Sequence, residues 1–82
     1  MIRALVMMNV ERGQVPATAK RLAAMDDVVD VYSVAGDYDL VAIVQSAEYE
    51  RLAEIVTEKL QGLEAVTTTT TLMAFRNYKF SL

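Results

Sequence analysis

A chain of 82 residues with a net charge of −3, no cysteine and no histidine is constrained before any pattern is read. At this length roughly 60–65% of the unfolded surface is buried on folding, so the core is marginal alone, and neither a disulfide nor a thiolate metal site can staple it. The commonest general base, the commonest metal ligand and the best nucleophile are all missing, and the scattered basic residues form no surface that would track phosphates.

Ile2 to Val10 alternates, with Ile2, Ala4, Val6, Met8 and Val10 on one face and Arg3, Leu5, Met7 and Asn9 on the other. That period predicts a strand. The apolar run is too brief for a secretory signal or a membrane span, so a cytoplasmic protein without membrane contact is expected. Glu11-Arg12-Gly13-Gln14 breaks the alternation, and Pro16 suits the first turn of a helix, where its missing N–H costs little. Val15, Ala19, Leu22 and Ala23 then recur as one helical stripe, closed by Asp26-Asp27. Val28 to Ala35 reads as a second strand.

The second half repeats this order. Asp39 to Gln45 is a β-branched strand, Ser46 is the expected N-cap, and Glu48 falls in the first helical turn. Tyr49, Leu52, Val56, Leu60 and Leu63 mark a helix whose wet side carries Glu50, Arg51, Glu54, Glu58 and Lys59, and Gly62 breaks it near its end. Ala65 to Phe75, with five consecutive threonines, is a fourth strand. The order β-α-β, turn, β-α-β predicts an α+β, ferredoxin-like fold: an antiparallel four-stranded sheet with two helices on one face.

Two helices cover one sheet face only, yet both faces carry apolar residues. Leu5 and Met7 oppose the even set of the first strand, Val41 and Ile43 oppose Leu40, Ala42 and Val44, and Met73 and Phe75 oppose Leu72 and Ala74. The composition, 54% hydrophobic, exceeds what one small core can hide. The expected cover is the same face of a second copy, a two-fold sheet-on-sheet dimer. The tail Arg76 to Leu82 keeps two aromatics and a leucine, and is expected to dock on a neighbour.

The segment most suggestive of function is Val34-Ala35-Gly36-Asp37-Tyr38-Asp39-Leu40-Val41. A glycine and two acids around one aromatic connect two strands, which offers backbone N–H groups and carboxylates at the end of a sheet. A small zwitterion needs donors for its carboxylate and acceptors for its ammonium. The same residues also suit a plain turn, with Asp37 and Asp39 capping it.

Val31 to Val41, the helix Tyr49 to Leu63 and the threonine-rich strand ending Leu72-Met73 together resemble the effector-binding (RAM) domain of the Lrp/AsnC family of regulators. The resemblance covers nearly the whole chain, residues 1–82, as a single ligand-binding domain, and the Gly-Asp-Tyr-Asp turn is its most specific mark. Family members carry an N-terminal helix-turn-helix, whereas this chain begins at the first strand, so a stand-alone form is expected.

The resemblance implies dimers through the sheet face, rings of dimers such as octamers, and small ligands, usually amino acids, held between dimers. Carried over residue by residue, Gly36, Asp37, Tyr38 and Asp39 match the ligand-contacting turn. Backbone N–H groups around Gly36 and Asp37 would face the ligand carboxylate, Asp37 or Asp39 would accept from its ammonium, and Tyr38 would pack on the side chain or on the neighbouring dimer. Thr68 or Thr70 would orient the ligand if that parity faces the cleft.

The expected function is therefore a non-enzymatic, amino-acid-binding and oligomerisation module of a transcription-regulatory system. It would mix with a full-length Lrp/AsnC regulator rather than contact nucleic acid itself, and would need no cofactor. The alternative is a small dimeric ferredoxin-like enzyme, of the cofactor-free monooxygenase or isomerase type. Such folds place histidine, tryptophan or a polar cluster in the cleft, and this chain has neither histidine nor tryptophan. A calcium site at Asp37 and Asp39 would lack oxygens, so no metal is expected.

Overall fold

Alternation along the first strand sorts its side chains into two faces. Ala4, Val6, Met8 and Val10 are buried, while Leu5, Met7 and Asn9 on the opposite face are only half-buried. In the computed structural model, which describes residues 1–79, this strand is β1 (Ile2–Val10), followed by α1 (Val15–Ala23) and β2 (Val28–Ser33). Then come β3 (Leu40–Ser46), α2 (Tyr49–Glu54), its continuation as a wider π-helical stretch (Ile55–Leu60), and β4 (Val66–Ala74). Of the expected docking tail, Phe80, Ser81 and Leu82 lie outside the described residues.

The sheet has four strands in the order β2-β3-β1-β4, and every neighbouring pair is antiparallel. Each βαβ unit skips a strand position, which the other half of the chain fills. This is the ferredoxin-like arrangement. The core lies between sheet and helices, where Met8, Leu22, Leu40, Leu52, Ile55 and Leu60 are among the largest fully buried side chains. No helix of the described residues is long and apolar enough to cross a membrane.

Pro16 sits in the first turn of α1, and Lys20 and Arg21 in the last turn complement its negative end. The buried stripe is Thr18 and Leu22 with Val15 and Ala19 beside them; Ala23, expected to complete it, is exposed. Likewise Tyr49 is 62% exposed and does not join the stripe of α2.

Ser46 is not the N-cap of α2. It closes β3, and its hydroxyl accepts the Glu48 N–H at 3.3 Å, leaving extended Glu48 in the cap position and Glu50 in the first turn. A serine two residues before a helix start can take either role, since both use the same local side-chain-to-backbone bond. The helix also widens, with the Gln61 N–H reaching back five residues to the Val56 carbonyl at 3.0 Å. Three β-branched residues in a row, Ile55-Val56-Thr57, crowd this turn, and the Thr57 hydroxyl bonds the Ala53 carbonyl at 2.8 Å.

Asp27, in the loop between α1 and β2, draws α2 toward it. Its Oδ2 accepts from Arg51 at 3.0 Å and from Lys59 at 3.4 Å. These side chains are partly exposed, so the pairs orient more than they stabilise.

Candidate ligand-binding site

Pairing register decides which residues share the face that the helices leave bare. Leu72 stands opposite Leu5, Leu5 opposite Ile43, and Ile43 opposite Asp30. One row further, Thr70, Met7, Val41 and Tyr32 line up in the same way, and beyond them Thr68 faces Asn9. The bare face thus has an apolar middle, an Arg3–Gln45 pair at one end (2.8 Å) and a hydroxyl- and amide-bearing rim at the other. Met73 points the opposite way and packs against the core.

The Gly36–Asp39 turn folds over that polar rim. Gly36 is exposed with φ +128°, a backbone state that glycine alone adopts readily. Asp37 is exposed and makes no side-chain hydrogen bond among the described residues. Tyr38 is half-buried, and its Oη donates to Thr70 Oγ1 at 3.3 Å, reaching from the turn across β1 to β4. Asn9 Nδ2 donates to Thr68 Oγ1 at 2.9 Å beside it.

Asp39 is engaged differently. Its Oδ2 accepts the Val10 N–H at 2.9 Å, its own N–H donates to the Met8 carbonyl at 2.9 Å, and its carbonyl accepts the Val34 N–H at 3.0 Å.

The six residues singled out from sequence, Gly36, Asp37, Tyr38, Asp39, Thr68 and Thr70, therefore gather at one corner. The threonine parity left open by the sequence resolves onto the bare face. Asn9 joins them and was not singled out. Its signal was its parity, since it follows Leu5 and Met7 on the odd face of β1 and is the first side chain there to offer both a donor and an acceptor.

Chemically, the corner combines an unpaired carboxylate, an exposed glycine backbone, a phenol and two threonine hydroxyls, on a platform one side of which is apolar. Such a surface can grip an ammonium group and a small polar body. Among the described residues it brings together no group of three or more acids that could hold a metal ion.

A ferredoxin-like α/β domain with a bare sheet face and a polar turn at its end is a binding-module architecture. The model of the Lrp/AsnC ligand binding domain matches residues 3–81, and the chain belongs to that family. An HTH-type transcriptional regulator of Pyrococcus furiosus, PF0250, is 34% identical over 61 residues, which is 74% of this chain and 41% of that protein. The chain spans between about a third and a half of the length of the curated relatives it matches.

Among solved structures, TTHA0845 of Thermus thermophilus superposes with a TM-score of 0.89 at 41% identity, covering 98% of this chain and 100% of that one. The transcriptional regulator NMB0573 of Neisseria meningitidis, solved as an L-Met complex, gives a TM-score of 0.87 over 98% of this chain and 53% of its own. At 11% identity that likeness is one of fold alone.

Proposed function

We propose that this chain is a non-enzymatic effector-binding and oligomerisation module of a transcription-regulatory system, and that its effector is an amino acid. Residues 1–82 act as one ligand-binding domain in the cytoplasm. The observation that carries the reading is the corner itself, where exposed Asp37, without a side-chain partner among the described residues, precedes Tyr38 in the turn that meets Thr70, next to the Asn9–Thr68 pair. Asp37 meets the ammonium, backbone N–H groups around Gly36 meet the carboxylate, and Tyr38, Thr68 and Thr70 meet the side chain. The L-Met complex of the Neisseria regulator supports an amino acid as the class of ligand on this fold.

The bare face supports a homodimer. Leu5, Met7, Val41, Ile43 and Leu72 form a continuous apolar middle that no helix covers. Dimers then assemble into larger rings such as an octamer, which would enclose the corner between neighbours. A net charge of −3 gives this chain no electrostatic attraction for a duplex. In our proposal it forms mixed assemblies with a regulator that carries a helix-turn-helix.

Magnitude sets the expected affinity. A small amino acid has about nine non-hydrogen atoms, and at about −0.5 kcal/mol each the total is near −4.5 kcal/mol, or roughly millimolar. Enclosure between dimers would bring this toward micromolar, the range of a metabolite sensor. Isothermal titration of the assembled protein with each of the twenty amino acids is expected to show saturable heat for one or a few. No heat from any of them would end the amino-acid reading.

A further inference from the structure

We infer that the two acids of the turn have separate duties, and that Asp39 is a positioning residue whose carboxylate replaces a missing rung of the sheet. Along β1 and β3 the paired residues run from Ile2↔Ser46 to Met8↔Leu40. Continued by two residues, the same register would set Val10 opposite Tyr38 and spend the Tyr38 backbone on the ladder. The chain does not continue it. β3 begins at Leu40, while β1 runs on to Val10.

An unpaired N–H at Val10, a residue only 9% exposed, would be costly. The Asp39 side chain supplies the acceptor instead, at 2.9 Å, while its backbone N–H takes the Met8 carbonyl. On the other side of β1 the pairing with β4 also shifts between Asn9 and Val10. Here the Thr67 hydroxyl takes the Asn9 carbonyl at 3.1 Å and the Glu11 N–H finds the Ala65 carbonyl at 2.8 Å. The β3 ladder ends at Met8 and the β4 ladder shifts between Asn9 and Val10, and Asp39 is the side chain that closes the first of them.

Its consequence is the freedom of Tyr38. Relieved of ladder pairing, Tyr38 leaves the strand path and lays its ring toward Thr70 on the far strand. Asp39 Oδ2 is bound to the Val10 N–H, whereas Asp37 has no side-chain partner among the described residues, so Asp37 is the acceptor we assign to a ligand cation. Only this last step rests on the ligand reading above; the strut itself stands without a ligand.

Ligand-free protein tests it by NMR. In the wild type the Val10 amide is expected to be protected from exchange by its bond to the Asp39 carboxylate. Asp39→Ala should raise hydrogen exchange at the Val10 amide at least tenfold and break the Tyr38–Thr70 hydroxyl contact. Asp39→Asn, which keeps a carbonyl acceptor, should restore both, and Thr70→Val should leave Val10 protected.

Wild-type exchange at Val10 in Asp39→Ala would overturn the strut. Should the alanine variant not fold, rapid exchange of the Val10 amide in the wild type would still overturn it. A titration calorimeter silent for every amino acid would remove the ligand reading and leave these results intact.

Discussion

Two glycines constrain the chain for different reasons. At Gly62 a β-carbon would press into the backbone carbonyl oxygen of Glu58, which cannot move aside without disturbing the wide end of the second helix. At Gly36 a β-carbon would meet nothing within 4 Å, so the objection is backbone strain at φ +128° alone. Gly62→Ala should therefore cost about 1–3 kcal/mol of stability while sparing the corner. Gly36→Ala should cost a similar amount, about 1–3 kcal/mol, and also displace Asp37 and Tyr38. Thermal melts paired with amide spectra check both: the two variants should melt lower than wild type, and only Gly36→Ala should move the Thr70 and Asn9 signals.

Element types followed from alternation and helical spacing, because burial on one face imposes those periods directly. What stayed hidden was anything that depends on a partner strand. Five threonines in a row carry no alternation, so the parity of β4 could not be read until its pairing with Asn9, Met7 and Leu5 set Thr68, Thr70 and Leu72 on the bare face. The turn was legible as four residue types between two strands, whereas Asn9 was invisible as a neighbour 59 positions from Thr68. The widening of the second helix was likewise beyond apolar spacing, since Leu52, Val56, Leu60 and Leu63 are buried as that spacing requires.

Parity on β4 gives a direct test at this scale. Met73→Lys sets a charge at a half-buried position against the core and should destabilise the fold by about 1–3 kcal/mol. Leu72→Lys places it on the bare face, 52% exposed in the single chain. That variant should keep its secondary structure and, by sedimentation velocity, fall apart into monomers. The reverse pattern would mean that β4 is registered the other way.

At the scale of the molecule, the surface is larger than that of a compact domain of the same mass. The chain exposes 5827 Å², against about 4,900 Å² expected for a compact monomer of 9.1 kDa. The excess is about 900 Å². Phe75 and Tyr78, 99% and 87% exposed, contribute part of it, and both line the 300 Å³ cleft with Arg3 and Leu5 at the end of the bare face away from the turn. One covered face would therefore serve two ends, an aromatic one that holds copies together and a polar one that receives an effector. In the proposed ring the polar rim would be enclosed where neighbouring dimers meet.

The most direct test of the proposal is amide and methyl shift mapping of the assembled protein, titrated with whichever amino acid gives heat. The account predicts saturable changes confined to Gly36–Asp39, Asn9 and Thr68–Thr70, lost in Asp37→Asn. Saturable changes elsewhere, on the helices or at the Arg3–Gln45 end, with that corner unmoved, would contradict it.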